Sequence, residues 1–210
     1  GTKTMHFIQH SDKPADCVAT YLRIVAAEKP TKTEPKCIHF TVDGDHIIYT
    51  GNVATLTADL STIKLLLNST LSTKDARFMT IDIKDFYLNT PMEQYEYMRI
   101  PVRHILEVIM TQYQLKPMIH NGHIMVEIHK GMYGLPQAGI LANNHLVSHL
   151  HEHFGVQYIG CDNAEYLMTV LLKLYKITHD WSGSQYCSLT LKRDYDACTI
   201  DVSMPGYIDK

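Results

Sequence analysis

TIDIKDFYLNTPM, residues Thr80–Met92, is the stretch on which the interpretation of the fold depends. Apolar residues lead up to Asp82, Asp85 follows three positions later, and two aromatic residues come directly after it. The alternation around Ile81 and Ile83 predicts a β-strand that ends at the aspartates. Burying an unpaired carboxylate is costly, so this place needs compensation. Two interpretations stay open: a strand that ends in a solvated turn, and a site for Mg²⁺, which prefers carboxylate and carbonyl oxygens.

The composition is that of a folded globular protein. Hydrophobic residues make up 45% and charged residues 20% of the 210 positions, enough for one domain or two small lobes. No run approaches the roughly 18 apolar residues of a membrane-spanning helix, so we expect no membrane partner. The five cysteines form no C-x-x-C pair and no signal peptide is visible, which predicts an intracellular protein of the cytoplasm or nucleus. The formal net charge of −3 counts mildly against a nucleic-acid binder.

Residues 1–56 predict a small β lobe. The segment ATYLRIV has Tyr21, Arg23 and Val25 at alternate positions, as in a β-strand. Two β-rich runs flank Asp43-Gly44, a turn signal typical of a β-hairpin. From residue 57 onwards the hydrophobic period becomes helical, with Thr57 or Asp59 as the candidate N-cap. We therefore place a domain boundary between residues 56 and 57.

Residues 57–210 predict a second domain in which helices and strands interleave without regular βαβ units. The predicted elements are a helix from about residue 60, the strands ARFMTIDI and YEYMRIP, a helix over 103–114, the strand HIMVEIH, a helix that ends at Gly155, a helix over 163–176 and a C-terminal β-hairpin over 186–203. Residues 103–130 could return to the first lobe. The fold class is therefore α+β.

The order of these segments resembles that of the reverse transcriptases of copia-type retrotransposons. DIKDFYLNTPM is similar to the first catalytic motif of that family, YLRIVA to the fingers segment whose arginine grips the triphosphate, EYMRIP to a strand that reads YMRQP, and GMYGLPQAG to a loop that reads LYGLKQAG. Two longer segments also resemble the family: the one before the aspartates reads YTGNVATLTADLSTIKLLLNS, and the one after the palm reads SLTLKRDYDACTIDVSMPGYIDK. The resemblance thus covers essentially the whole chain, in order.

The resemblance implies a reverse-transcriptase-like fold. Residues 1–56 would form a fingers-like β lobe, and residues 57–210 a palm-like domain with an antiparallel sheet packed on helices. The parent activity would be that of an RNA-directed DNA polymerase, a nucleotidyltransferase that joins dNTPs on an RNA or DNA primer–template with two Mg²⁺ (or Mn²⁺) ions.

The resemblance also implies a role for each matched residue of the aspartate motif. Asp82 would be the first metal-binding carboxylate, with the backbone carbonyl of Ile83 near the metals. Asp85 and Phe86 would lie along the incoming triphosphate through their main-chain amides. Tyr87 would be a steric gate that leaves no room for a 2′-hydroxyl and so selects deoxynucleotides. From residue type alone, Tyr87 fits a core tyrosine equally well.

Two further matched residues come from other segments. Gln137 would support the nucleotide sugar and the templating base pair, and Arg23 would pair with the β- and γ-phosphates, where a planar guanidinium fits. From residue type alone, Gln137 could equally be a simple residue at a helix N-terminus, and Arg23 a solvated arginine on an edge strand. Among the other basic residues, we expect Arg99 and Lys130 near the template path.

The chain departs from the family at its third motif, a β-hairpin carrying Y-x-D-D, whose aspartates complete the metal site. That hairpin should separate HEHFG from VQYIG, but the two abut in LHEHFGVQYIGCDNAEYL, residues 150–167, and leave the palm hairpin incomplete. Two-metal catalysis takes several carboxylates around ions roughly 4 Å apart. Asp82 alone does not hold two such ions, so the sequence predicts weak or lost polymerase activity.

Two alternatives to an active polymerase follow from this departure. The chain could be a relic of the polymerase fold that binds nucleic acid without catalysis, or a self-associating structural protein. Loss of a palm strand would expose a sheet edge, which favours a homodimer. Independently of the family, His145, His149 and His153 recur every four residues on a predicted helix, a spacing that can hold Zn²⁺ or Ni²⁺ but equally fits a polar helix face.

Overall fold

The computed structural model describes residues 2–28, 36–55, 57–154, 164–187 and 189–205. Within them lie ten strands: β1 (Met5–Ile8), β2 (Ala19–Glu28), β3 (Lys36–Val42), β4 (Thr80–Lys84), β5 (Pro91–Pro101), β6 (His123–Lys130), β7 (Lys176–Asp180), β8 (Gln185–Tyr186), β9 (Leu189–Asp194) and β10 (Thr199–Ser203). The same residues form four α-helices: α1 (Leu60–Ser72), α2 (Glu107–Gln112), α3 (Ala138–Phe154) and α4 (Ala164–Leu172). The predicted α+β class is confirmed. None of these described helices combines the length and apolar character needed to cross a bilayer.

By their packing, the residues divide into two compact units, Gly1–Thr55 with Asp85–Gly160, and Leu56–Lys84 with Cys161–Lys210. Residues 103–130 fall within the first unit. The predicted lobes, residues 1–56 and 57–210, concern a correspondence with polymerase fingers and palm, and they stay a prediction.

The first unit is built on a mixed five-stranded sheet in the order β1-β6-β5-β2-β3. Neighbouring strands are antiparallel except β2 and β5, which run parallel. At the centre, Met98 of β5 lies opposite Val126 of β6, and Ile100 lies opposite Ile124. Residues opposite one another point to the same side of a sheet, so these four buried side chains share one face.

This inner face carries the main core of the first unit. The buried apolar side chains that pack together there are Val42, Met92, Met98, Ile100, Val126, Ile128, Met132, Leu135 and Ala138. Burial of a large apolar side chain contributes about 1.5–3 kcal/mol relative to leaving it exposed. The buried positions of α3 are the small residues Ala138 and Ala142, which allow a close approach of the helix backbone.

The opposite side of the sheet, called the outer face below, is rich in aromatic and basic side chains. Glu127 lies opposite Tyr97 and accepts a hydrogen bond from its Oη at 3.0 Å, while the other carboxylate oxygen lies 2.6 Å from Nε2 of His129. Tyr95 stacks on His129 with ring centroids 3.9 Å apart. Burial, and then the neighbouring Glu127, raises the pKa of Tyr97 to about 12. The outer face comprises His6, Tyr95, Tyr97, Arg99, His123, Met125, Glu127 and His129.

The second unit combines α1 and α4 with two small antiparallel sheets, β4-β7 and β8-β9-β10. Asp59, one of the two predicted caps, accepts a hydrogen bond from the backbone N of Thr62 at 2.7 Å and so begins α1. Leu67 of α1 packs in a buried cluster with Phe78 and Leu191. The predicted C-terminal hairpin is confirmed by the pairing of β9 with β10.

The hairpin predicted around residues 43 and 44 is wrong. Among the described residues, no strand comes directly after Asp43; a short 3-10 helix, Gly44–His46, takes the place of the predicted second strand, and β3 pairs with β2 instead. The reason lies in long-range hydrogen bonds. The backbone amides of Val42 and Asp43 donate to the carbonyls of Tyr133 and Tyr21, which direct the chain away from a local turn.

Two predicted helices are shorter than expected. The helix over 103–114 reduces to α2, and the helix over 163–176 ends at Leu172, after which β7 begins at Lys176. The apolar run LMTVLLKLYKI suits either element by its composition, and the pairing of β7 with β4 decides its second half. The predicted cap at Gly155 and the junction where the third motif is missing lie outside the described residues.

Candidate functional site

Asp82 lies at the centre of β4, opposite Thr178 of β7, rather than at the strand end that the sequence predicts. Its side chain is exposed, whereas those of Ile81 and Ile83 are half-buried. The carboxylate therefore points to the solvent side of a two-stranded ladder. Water compensates its charge, so this placement within an apolar strand costs little.

Asp82 lines a cavity of about 440 Å³ in the second unit, where Asp180 is its acidic neighbour. Both oxygens of Asp180 are already engaged, because they accept hydrogen bonds of 2.5–2.9 Å from the backbone and hydroxyl groups of Ser182 and Ser184. These bonds, led by that from Ser182, hold the pKa of Asp180 well below its ordinary value. Among the described residues that line this cavity, Asp82 is thus the one carboxylate available to a cation.

The residues after β4 form a tight turn that belongs to the first unit. Asp85 has a φ of +54°, a left-handed conformation that aspartate tolerates better than most residues, and its carbonyl accepts a hydrogen bond from Nδ2 of Asn89 at 2.9 Å. A 3-10 helix, Tyr87–Asn89, follows, with the backbone N of Thr90 donating to the carbonyl of Tyr87 at 2.9 Å. The turn fixes the direction in which Phe86 and Tyr87 project.

Tyr87 is half-buried and anchored against the inner-face core. Its ring centroid lies 4.9 Å from that of Tyr133 and 5.9 Å from that of Phe86. A Cβ added to Gly131 would lie 2.8 Å from the carbonyl oxygen of Tyr87, so the turn approaches the end of β6 at a distance that only glycine allows. This position fits a core tyrosine, and it also presents a rigid ring of the kind that a steric gate requires.

Gln137 immediately precedes α3 and is only 3% exposed. Its Nε2 donates a hydrogen bond of 2.8 Å to Oε1 of Glu96. Its own Oε1 is buried and has no hydrogen-bond partner among the described residues. Burial raises the pKa of Glu96, and the hydrogen bond from Gln137 offsets part of that effect. Holding Gln137 and Glu96 together therefore costs folding free energy, because Oε1 of Gln137 is buried as an unused hydrogen-bond acceptor.

Gln137 and Glu96 line a cavity of about 490 Å³ in the first unit. Thr90 at the end of the aspartate turn lines the same cavity, as does His145 on the next turns of α3. This volume lies within the roughly 300–1,000 Å³ typical of small-molecule sites. The structure therefore brings the turn that carries Tyr87 and the start of α3 to one cavity, and α3 packs on that turn.

Arg23 lies in β2, opposite Thr41 of the edge strand β3, with its side chain exposed. Its guanidinium is accessible to an anion, as the predicted phosphate contact requires, and equally to solvent, as a plain surface arginine would be. Arg23, Asp85, Phe86, Tyr87 and Gln137 fall in the first unit. The remaining predicted site residues, Asp82 and Ile83, fall in the second unit.

Of the three predicted histidine ligands, the structure brings two, His149 and His153, close to Glu152. The ligand atoms of His149, Glu152 and His153 all lie within 4.8 Å of one another, and His145 is not part of this group. Nδ1 of His153 donates to the carbonyl of His149 at 2.9 Å, which leaves Nε2 as its ligand atom. Three partly exposed ligands are fewer than the four of a structural zinc site, so the predicted metal stays a prediction.

Sequence reasoning missed Glu96, the partner of Gln137. Glu96 lies opposite Ile128 and alternates with Met98 and Ile100, which places it on the inner face, but no local pattern shows that Gln137 lies beside it. No family model matches the sequence, and no curated protein shows significant similarity to it.

Proposed function

We propose that this chain is the fingers and palm portion of a copia-type reverse transcriptase, with RNA-directed DNA synthesis as its parent activity. The environment of Gln137 is the observation that carries this proposal. An ordinary residue at a helix N-terminus is solvated, whereas Gln137 is buried and held by Glu96, with an unused acceptor beside a cavity of nucleotide size. A bound deoxynucleotide, whose sugar and base carry hydrogen-bond donors, would satisfy that acceptor.

The turn formed by Asp85, Phe86 and Tyr87 supports the same proposal. Its backbone is fixed by a left-handed residue and by close contact with Gly131, so its amides and the Tyr87 ring keep one geometry. Preorganised groups of this kind are what nucleotide positioning requires. In this role Tyr87 excludes the 2′-hydroxyl, and exposed Arg23 contributes charge for the phosphates.

The donor set around Asp82 does not fit a pair of Mg²⁺ or Mn²⁺ ions. Asp180 is its acidic neighbour in the same cavity, and both carboxylate oxygens of Asp180 already accept hydrogen bonds from Ser182 and Ser184. The sequence contains no Asp-Asp pair that could supply the remaining ligands. Two-metal phosphoryl transfer needs several convergent carboxylates, so we infer that catalysis is weak or lost while nucleotide and nucleic-acid binding remain.

A primer-extension assay tests the catalytic part of this proposal. We expect little or no dNTP incorporation by the wild type with either metal ion, and no further loss in Asp82→Asn. Asp201→Asn is a matched control, because Asp201 is likewise an exposed aspartate within a strand of the second unit. Processive extension that Asp82→Asn abolishes and Asp201→Asn retains would overturn the inference of lost catalysis and support the lineage.

Binding measurements test the lineage itself. Fluorescence anisotropy of a labelled primer–template should show salt-sensitive binding, tightened by the dNTP that matches the template and not by a mismatched one. Gln137→Leu, which keeps the side-chain volume and removes the amide, should abolish the effect of the matching dNTP. If matched and mismatched dNTPs act alike on the wild type, the polymerase proposal fails.

A self-associating relic is the second candidate, and the edge strand β3 favours it. Among the described residues, β3 pairs with β2 alone, and it exposes Ile38, at 66%, and Phe40. Ile24 of β2, opposite Phe40, is also exposed, so an apolar stripe crosses this hairpin. Unprotected edges of this kind promote strand pairing between chains. Light scattering that gives the monomer mass at all concentrations would exclude this candidate.

A further inference from the structure

A two-residue turn at the start of β6 brings two histidines side by side. The backbone N and O of His120 pair with the O and N of His123 at 2.9 and 3.0 Å, and the residues between them, Asn121 and Gly122, have φ values of +49° and +74°. These angles and the Asn-Gly pair are typical of a type I′ hairpin turn. Residues directly opposite each other in such a ladder present their side chains on one face, so His120 and His123 are neighbours.

Two more basic side chains converge on this turn. Arg99 of β5 lies opposite Met125, two residues beyond His123, so Arg99 and His123 share the outer face. His10, in the short 3-10 helix after β1, lies against His120 with ring centroids 3.9 Å apart. Together these residues enclose a small cavity of about 70 Å³, lined by His10, Arg99, His120, Asn121, His123 and Met125.

Arg99 is half-buried and forms no ion pair with a carboxylate among the described residues. Its Nη2 donates to the carbonyl of Ala19 at 3.1 Å, and its guanidinium carbon lies 4.5 Å from the ring centroid of Tyr21. Its Nε is buried without a hydrogen-bond partner in the described part of the chain. A carbonyl and an aromatic ring are uncharged, so the cost of withdrawing this cation from water is only partly offset.

The hydrogen bonds within the turn leave a ring N–H donor on His120, whereas the free Nε2 of a neutral His123 is an acceptor. Nδ1 of His123 donates to the carbonyl of Asn121 at 2.8 Å, and Nδ2 of Asn121 lies 3.2 Å from Nε2 of His120. With Asn121 as the donor, the remaining proton of a neutral His120 is on Nδ1. No carboxylate lies among the described residues that line the cavity, and its three histidines are not among the described groups whose ligand atoms converge closely enough to hold a metal ion.

We propose that this cavity binds a phosphate group. An arginine beside imidazole and amide donors matches the several acceptor oxygens of a tetrahedral oxyanion. The cavity is far smaller than the roughly 300 Å³ at which small-molecule pockets begin, so it accommodates a single phosphate and excludes a base or sugar. The site involves neither Asp82 nor Gln137, and it therefore stands whether or not the chain is a polymerase. Inorganic phosphate and the phosphates of a nucleic acid offer the same chemistry.

NMR spectra of histidine-labelled protein, recorded as inorganic phosphate replaces chloride at constant ionic strength, test this site. We expect saturable shifts of the His10, His120 and His123 resonances. Arg99→Met should raise the dissociation constant about tenfold or more, as expected for loss of a charge-assisted hydrogen bond. Arg77→Met is a matched control, because Arg77 stacks on Tyr195 at 4.7 Å and donates to the carbonyl of Ala76 in the same manner, away from these histidines.

His120→Gln provides a second variant at an exposed position of the turn, where a folding defect is not expected, and it should also weaken binding. A second titration uses an oligodeoxynucleotide without terminal phosphates, so that phosphodiesters are the only phosphate groups it offers. Shifts of the same three histidines by the oligonucleotide would assign the site to a nucleic-acid backbone, and shifts by inorganic phosphate alone would assign it to a free phosphate or phosphomonoester. Shifts that do not saturate, or equal weakening by Arg99→Met and Arg77→Met, would overturn the proposal.

Discussion

Replacement of Glu96 by glutamine keeps an acceptor oxygen for Nε2 of Gln137 and removes the half-buried negative charge. A hydrogen bond to a charged group contributes about 1.5–3 kcal/mol and one between neutral groups about 0.5–1.5 kcal/mol, so the weaker bond costs about 1 kcal/mol. Relief of desolvation acts in the opposite direction. It is the larger effect, because burial raises the pKa of Glu96 in spite of the bond from Gln137.

The expected result at neutral pH is a free energy of unfolding equal to that of the wild type or up to about 1 kcal/mol higher. The limit is modest because Glu96 is partly exposed and solvent screens its charge. For a chain of this length, 1 kcal/mol corresponds to a shift in melting temperature of about 2–4 °C.

The pH dependence has a definite sign. A raised pKa means that the folded state binds the proton of Glu96 more tightly than the unfolded chain does. The stability gained from that proton is present below the ordinary pKa of 4.5 and is lost as the pH rises through the raised value. Wild type and Glu96→Gln should therefore be alike in acid, and the variant should become the more stable one as the pH increases.

Urea unfolding followed by far-UV circular dichroism across this pH range measures both effects. Glu93→Gln is the control, because Glu93 is an exposed carboxylate that lines the same cavity. Replacement of this exposed side chain should leave the free energy of unfolding close to that of the wild type. A Glu96→Gln variant less stable than the wild type by more than about 1 kcal/mol at neutral pH would refute the reasoning, since the charged bond to Gln137 would then outweigh desolvation.

Three further predictions concern other parts of the molecule. Gly134→Ala should lower the free energy of unfolding by more than about 3 kcal/mol, because its Cβ would meet the carbonyl oxygen of Val42 at 1.9 Å. Gly122 is also left-handed but faces open space, so Gly122→Ala should lower the free energy of unfolding by only about 1–2 kcal/mol. Equal losses of the two variants in urea unfolding would contradict this. Tyr97→Phe should remove a phenol that titrates with a pKa of about 12 from the ultraviolet absorbance titration. Asp59→Ala should lower the melting temperature in thermal unfolding through loss of the α1 cap; an unchanged melting temperature would contradict the capping geometry.

The elements that sequence could predict are those whose pattern is local. The alternation in EYMRIP and HIMVEIH gave the two central strands, and Asp59 gave the start of α1, because each depends on neighbours within a few residues. The Asp43-Gly44 signal failed for the opposite reason. The amide of Val42 pairs with Tyr133, some ninety positions away, and no local pattern contains that contact.

The candidate site divides in the same way. The aspartate turn can be predicted from the sequence, because the left-handed residue Asp85 and its hydrogen-bond partner Asn89 lie within five residues of each other. The pairing of Gln137 with Glu96 joins a helix start to a strand 41 residues earlier, a contact that no local pattern contains. Likewise, the Asn-Gly turn is a local signal, but the convergence of Arg99 and His10 on it depends on the order of strands in the sheet.

The exposed aspartate that first suggests catalysis is the less informative of the two key polar residues. Asp82 is solvated, so its presence in β4 needs no compensating ligand and carries little physical argument for function. Gln137 is different, because apolar side chains of similar volume would fill its place without a buried acceptor left unused. A fold under no demand from a ligand gains nothing by keeping a half-satisfied amide next to a carboxylate that burial disfavours. The free-energy cost of keeping Gln137 and Glu96 in place therefore supports the proposed binding role of the first unit better than any feature of Asp82 supports the proposed catalytic role of the second.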